Sequence, residues 1–266
     1  MQKRNFEHLF KFARDLTVDA GEQIRTSFQK EITVDFKENR SDLVTNMDKQ
    51  IERFFIKNIQ KSYPDHRILG EEGFGDKITS LDGTIWIIDP IDGTMNFVHM
   101  QRHFAISVAI YHNGEGIIGL IYDVAQKDLY YAVKGQGAFL NDRKLPALGS
   151  IDVGDAVIGV NSAWVFEKKR IKEGIIPHLI NNLRGTRSFG SAAIELAYTA
   201  SGKIDGYISL RLSPWDYAAG KILIEEVGGK ISTINGDPLT ILTKQSPVFA
   251  AKPGLHESIL KNFLIK

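Results

Sequence analysis

Within the segment WIIDPIDGTMNF, residues 86–97, the carboxylates Asp89 and Asp92 stand three positions apart, with Pro90 between them and Gly93-Thr94 behind. A run of strand-forming residues delivers both acids. Acids at the end of a buried strand are costly unless a positive group meets them. That group is an arginine, a helix N-terminus or a metal ion. Three further acidic turns accompany the pair: Asp42 to Asp48 in DLVTNMD, Glu71-Glu72 in GEEG, and Asp216 in PWDYAAG. The chain has no cysteine and no cluster of histidines, so the ligands on offer are oxygens, which hard cations such as Mg²⁺ prefer. Mg²⁺ keeps several waters and takes few protein carboxylates, so several converging acids suggest more than one ion. Two ions a few ångströms apart can hold both the attacking water and the leaving oxygen of a phosphoryl transfer.

The remainder of the segment fits that chemistry. Pro90 fixes φ and lacks an N–H, which favours a rigid turn straight off the strand and leaves the Ile91 carbonyl able to face a cation. Asp92 is a good N-cap, and Gly93-Thr94 would then open a short helix whose unpaired N–H groups suit phosphate oxygens. Plainer readings stand beside this one. Asp92 and Asp216, taken singly, read as helix caps. GEEG reads as a solvated turn, and Asp42 and Asp48 as caps of the second helix. Two acids in one turn, and a tryptophan and proline fixing Asp216 ahead of a small-residue helix, tip the reading toward a metal-dependent phosphate site.

The elements that must position these residues are readable from periodicity. Phe6, Leu9, Phe10, Ala13, Leu16, Ala20 and Ile24 recur at helical spacing, and a second helix follows DLVTNMD with Ile51, Phe54, Phe55 and Ile59 on its apolar face. TIWIID is a strongly apolar strand. FAISVAIY and GIIGLIYD flank an Asn113-Gly114 hairpin signal, and DLYYAVKG continues the meander. GSAAIELAYTASG and PWDYAAGKILIEEVGG read as helices, KIDGYISL, GKISTI, PLTIL and PVFAAK as strands, and HESILKNFLI as a terminal helix. Helices come in pairs between runs of strands, which predicts layered helix and sheet packing with a mixed or antiparallel sheet.

Bulk composition narrows the class. At 266 residues, 43% apolar and 24% charged, the chain is an ordinary globular sequence with room for a large core. A formal net charge of +1 gives no reason to expect nucleic acid or an anionic membrane as partner. The N-terminal MQKRNFEHLFKFARDL carries scattered charges and no apolar h-region, so it does not read as a signal peptide. A soluble cytoplasmic protein is the expectation.

Together, WIIDPIDGTMNFVH, GEE upstream and PWDYAAGKILIEEVGG downstream resemble the inositol monophosphatase family of Mg²⁺-dependent, Li⁺-sensitive phosphatases. DLVTNMD and RSFGSAAIELAYTASGKIDGYIS add further matches in the family's order, over nearly the whole chain. The resemblance implies an α+β fold, the five-layer αβαβα sandwich of the inositol monophosphatase and fructose-1,6-bisphosphatase type. It implies one domain over residues 1–266, with the metal motifs in 1–150 and the substrate-side helix and last metal aspartate in 151–266, assembled as a homodimer. By the same resemblance, Glu71, Asp89 and the Ile91 carbonyl would hold one Mg²⁺. Asp89, Asp92 and Asp216 would hold a second, and Glu71 would face a third, weaker ion. Gly93 and Thr94 would bind phosphate, together with the groups of Ile91, Asp92 and Asp216 around it. Thr94, paired with Asp48, and Glu71 would orient and deprotonate water for direct in-line attack. Gly190, Ser191 and Ala192 would face the alcohol, and Lys37 matches a lysine on a loop near the metals.

One departure concerns the alcohol. Inositol-cleaving members carry a glutamate seven residues before the WD aspartate, where this chain has Ser209, which cannot grip two hydroxyls as a carboxylate can. Two residues on, Arg211 would share a strand face with Ser209 and suits a second phosphate, or else pairs with a surface acid. A phosphate ester of a small polyol is therefore the main expectation. The alternative is a broad-range phosphatase acting on NADP(H), fructose 1,6-bisphosphate or 3′-phosphoadenosine 5′-phosphate, and a protein-binding factor in transcription is the reading from another class. His99 and His103 read as packed or solvent-facing, EKKR at 167–170 as a solvated helix face, KGQGAFLN as a hairpin, and Trp164 in NSAWVF as a core aromatic, with lining of the substrate cleft as the other reading.

Overall fold

The structure, a computed structural model, describes residues 3–29, 33–36 and 43–265. Lys37 and Asp42 lie outside them. Helix α1 (Lys3–Ser27) buries Leu9, Ala13, Leu16, Ala20 and Ile24, the stripe that three- and four-residue spacing lays on one face. The short strands β1 (Val34–Phe36) and β2 (Leu43–Thr45) pair antiparallel and lead into α2 (Asn46–Ser62). A seven-stranded sheet follows, with β3 (Arg67–Gly70), β4 (Thr84–Asp92), β5 (Ala105–His112), β6 (Glu115–Asp123), β7 (Asp128–Val133), β8 (Gly137–Leu140) and β9 (Arg143–Lys144) in that spatial order. Helix α3 (Thr94–Met100) sits between β4 and β5. Strand β3 runs parallel to β4, and each later pair is antiparallel. The β5–β6 turn uses Asn113 and Gly114 at positive φ, as the Asn-Gly signal predicts.

The second sheet has the order β11-β10-β12-β14-β13, built from β10 (Val157–Val160), β11 (Gly185–Arg187), β12 (Gly206–Leu212), β13 (Lys230–Ser232) and β14 (Ser246–Ala251). Its helices are α4 (Ile175–Asn181), α5 (Ala192–Ala200), α6 (Pro214–Glu226) and α7 (Leu255–Ile259). Three cores explain the stacking. Trp86 and Ile88 of β4 pack with Leu16 of α1 and Ile51 and Phe55 of α2. Ile85 and Ile87, from the same strand's other face, pack with Leu196 of α5 and Leu223 of α6, which also meet Tyr207 and Val248 of the second sheet. Ile208 and Phe249, from that sheet's far side, pack with Leu179 of α4 and Ile259 of α7. The result is a five-layer αβαβα sandwich. Strand β4 is buried on both faces, which is why TIWIID reads as a continuous apolar run.

Two expectations fail. PLTIL, residues 238–242, is not a strand, and residues 167–170 of EKKR are not helical. PLTIL packs Ile241 into the central core and accepts from the Tyr217 hydroxyl at its Thr240 carbonyl, 2.9 Å, instead of joining a ladder, and in EKKR Glu167 accepts from the Lys169 N–H at 2.6 Å in a local turn. KGQGAFLN does form a hairpin, with Gly135 and Gly137 donating their N–H groups to Glu226 at 2.8 Å each. Among the described residues, no helix is long and apolar enough to cross a membrane.

Candidate active site

The β4–β5 ladder runs in register to Asp89, opposite Ser107, then shifts before Asp92. Pro90 cannot donate to the ladder, and the resulting bulge turns the strand end. Glu71 lies one residue beyond β3; its N–H donates to the Ile88 carbonyl at 3.2 Å, continuing the parallel ladder, and its side chain hydrogen-bonds Asp89. Asp216 arrives from α6 as its third residue. The Ser213 N–H donates to Asp216 Oδ2 at 2.7 Å, and Ser107 Oγ donates to the Trp215 carbonyl at 3.0 Å, tying the start of α6 to the strand beside Asp89. One carboxylate oxygen from each of Asp89, Asp92 and Asp216 lies within 4.8 Å of the others.

Asp89 is 2% exposed and Asp92 8% exposed, and among the described residues no lysine or arginine pairs with either. Burial first, then the charges of Glu71, Asp92 and Asp216, hold the Asp89 carboxyl well above the usual carboxylate range. Asp92 is pushed up to about 6 by burial, against hydrogen bonds from Ser191 and the Ala193 N–H that favour its ionised form. The three candidate partners for these acids are thereby sorted. Among the described residues, no arginine serves Asp89 or Asp92. A helix N-terminus serves Asp92 alone, since its Oδ2 accepts from Ser191 Oγ and from the Ala193 N–H at 2.7 Å, at the start of α5. Asp92 therefore does not cap its own helix, as sequence suggested; Gly93 is the N-cap of α3, at φ 92°. An all-oxygen, anionic, largely buried set matches what Mg²⁺ accepts.

Thr94, the first residue of α3, places its hydroxyl 3.2 Å from Asp48 Oδ1 and 3.1 Å from the Ile91 carbonyl, its single proton going to one or the other. Asp48 is fully buried and does cap α2, its Oδ2 accepting from the Thr45 N–H at 2.9 Å. Cap and partner of Thr94 are thus one side chain using two oxygens. Burial pushes the Asp48 carboxyl up to about 7, helped by the charges of Glu71 and Glu72. Gly93 admits no side chain: a Cβ would come 3.1 Å from the His103 carbonyl and from Ser191 Cβ, on a backbone conformation that L residues avoid. The first N–H groups of α3 have no helical partner and lie beside this cluster.

A cleft of about 210 Å³ adjoins the acids. Asp92 and Asp216 form its inner wall, Gly190, Ser191 and Ala192 one side, and Ser209 and Arg211 of β12 another. Arg211 is exposed and, among the described residues, makes no ion pair.

Residues 5–265 match the model of the inositol monophosphatase family. Inositol-1-monophosphatase of Bacillus subtilis (strain 168) is 51% identical over 260 residues, 98% of each chain. The chain belongs to the inositol monophosphatase family. Inositol monophosphatase II of Staphylococcus aureus MSSA476 has a TM-score of 0.89 at 38% identity, covering 97% of this chain and 96% of that one. An IMPase/NADP phosphatase complexed with Mg²⁺ and phosphate has a TM-score of 0.87 at 29% identity, covering 97% and 95%. The chain is a phosphatase with the inositol monophosphatase fold.

For this family member, the structure brings Asp48, Glu71, Asp89, Ile91, Asp92, Thr94 and Asp216 to one end of the first sheet, although four separate segments carry them. Trp164 meets both sequence readings: half-buried on a 3-10 turn (Ser162–Phe166) just after β10, it packs against the core on that sheet's far side and lines the cleft. Its signal was the polar Asn161-Ser162 pair ending an apolar strand. Glu195 escaped notice because it sits within a helix of small apolar residues. It is buried, its Oε1 accepts from the Phe189 N–H at 2.8 Å, and it holds the chain entering Gly190. Burial pushes its carboxyl up to about 7. His99 is exposed, and His103 packs on Phe189 with ring centroids 5.8 Å apart.

Proposed function

We propose that this chain hydrolyses the phosphate ester of a small polyol, inositol 1-phosphate being the type, in a Mg²⁺-dependent reaction. The observation that carries the reading is the convergence of Asp89, Asp92 and Asp216 beside the start of α3, where Gly93 and Thr94 present backbone N–H groups. The 51% identical Bacillus subtilis inositol-1-monophosphatase supports the choice of alcohol. Glu71, Asp89 and the Ile91 carbonyl would hold one Mg²⁺, and Asp89, Asp92 and Asp216 a second, with Glu71 also facing a third. When bound, Mg²⁺ polarises phosphoryl oxygens and makes water a stronger nucleophile.

The chain's own groups do the rest. Gly93 and Thr94 fix the phosphate through N–H groups. With the Thr94 hydroxyl donating to Asp48, its lone pairs face outward to orient the attacking water, and Glu71 takes that water's proton. Ser191 spends its proton on Asp92, leaving its oxygen and the Gly190–Ala192 backbone for alcohol hydroxyls. Attack is direct, with no phosphorylated enzyme. On the same family reading the protein works in the cytoplasm as a homodimer and is inhibited by Li⁺.

A second reading is favoured by Ser209 and Arg211, which give the cleft an uncommitted guanidinium. It is a broader phosphatase that also takes NADP, fructose 1,6-bisphosphate or 3′-phosphoadenosine 5′-phosphate. Initial rates on these three and on inositol 1-phosphate, at saturating Mg²⁺, separate the readings. Inositol 1-phosphate is expected to be fastest; as the slowest of the four it would hand the site to the second reading.

A further inference from the structure

Glu52 is fully buried on α2, one helical turn beyond Asp48 and on the same face. No sequence signal marked it. Its Oε2 accepts from the Glu72 N–H at 2.7 Å, and its Oε1 accepts from the Phe74 N–H at 2.9 Å. Its neighbour Arg53 stacks its guanidinium over the Phe74 ring, 4.2 Å from the centroid. The far side of the turn is closed by Asp76, whose carboxylate accepts from the Ile68 N–H at 2.8 Å and whose N–H donates to the Ile68 carbonyl at 2.6 Å. Gly70 completes the fit, because a Cβ there would come 2.4 Å from the Glu52 carboxyl carbon. Residues 70–76 thus wrap a buried carboxylate that lies on the protein side of the turn.

We propose that Glu52 is the positioning residue of the site: it fixes the backbone of the GEEG turn and so sets where the Glu71 carboxylate meets Asp89. This rests on the reading of Glu71 as metal ligand and base. A solvated turn would let that backbone move, and a ligand displaced by a fraction of an ångström binds its ion less well. Helix α2 then serves both sides of the water, Asp48 through Thr94 and Glu52 through Glu71. Glutamine cannot replace Glu52 fully, since its NH₂ group opposes one of the two N–H donors.

The test is a Mg²⁺ titration followed by thermal shift, which needs no substrate, on the wild type, Glu52→Gln, Glu71→Gln and the double variant, with kcat and KM for inositol 1-phosphate measured alongside. Glu52→Gln is expected to raise the Mg²⁺ midpoint roughly ten- to hundredfold and to lower kcat at fixed Mg²⁺ while KM moves little. The double variant should be no worse than Glu71→Gln alone, because the two act through one group. A wild-type Mg²⁺ midpoint in Glu52→Gln, or losses that multiply in the double variant, would overturn the proposal. Should Glu52→Gln fail to fold, Gly70→Ala displaces the same carboxylate with its charge intact and must move the midpoint in the same direction. A wild type that binds Mg²⁺ yet spares inositol 1-phosphate sinks the substrate reading and leaves the titration to decide Glu52; one that binds no Mg²⁺ overturns both.

Discussion

At the proposed metal end of the site, Asp89 and Asp92 come off a strand buried on both faces, whereas at the proposed alcohol end Arg211 stands exposed on β12, within the stretch where the β14 pairing shifts register. Each acid at the first end is locked by neighbours: Asp89 by Glu71, Asp92 by the start of α5, Asp216 by Ser213, and Asp48 by Thr45 and Thr94. The second end offers groups without such commitments. A buried charge constrains everything that touches it, because each partner lost leaves desolvation uncompensated. An exposed guanidinium constrains little until a ligand arrives. On the proposed reading, the difference assigns the reaction and the choice of alcohol to separate parts of the molecule.

The sharpest way to break that separation is Asp89→Asn. It should slow hydrolysis of every phosphate ester alike, on the order of a thousandfold or more, with the fold retained in circular dichroism. An Asp89→Asn enzyme that is active and Mg²⁺-saturable would remove Asp89 from the metal end. The metal end also has a signature in stability. Asp89 is raised well above its ordinary value, and Asp92 and Asp48 are raised to about 6 and about 7. Folded carboxyls above their unfolded values bind protons more tightly than the unfolded chain, so their contribution is present at low pH and lost as pH rises through this range. The stabilisation by Mg²⁺, read as the Tm difference with and without chelator, should therefore grow from about pH 5 to about pH 8, because the ion meets carboxylates already ionised. A Tm difference flat across that window would deny that these acids are the ones the ion needs. The smallest effect belongs to the alcohol end. Arg211→Ala should leave kcat for inositol 1-phosphate within about twofold and raise KM for fructose 1,6-bisphosphate about tenfold, the scale of one charge-assisted hydrogen bond. Equal changes for both substrates would place Arg211 outside substrate selection.

Much of this was legible in sequence, and the division has a physical cause. The stripe on α1, the Asn113-Gly114 hairpin and the acids of DPIDGT are local patterns, and the structure keeps them. Asp92 was misjudged because a cap is inferred from the residues that follow, whereas its actual donors, Ser191 and the Ala193 N–H, are about a hundred positions away. Glu52 was invisible for the same reason: nothing between it and the Glu72 and Phe74 N–H groups shows in a helical periodicity. Trp164 was legible only as a choice between core and cleft, and the end of β10 beside β12 gives it both. PLTIL has strand composition but no ladder to join.

The irregular end of β12 has an evolutionary meaning. Between Ser209 and Leu212 its pairing with β14 has already lost register, so a new side chain at Arg211 disturbs no ladder contact. Single substitutions there can vary the alcohol at little cost to folding, whereas a change to the buried acids across the cleft leaves their hydrogen-bond partners uncompensated. Descendants of one ancestral phosphatase can in this way diverge in diet without relearning the reaction.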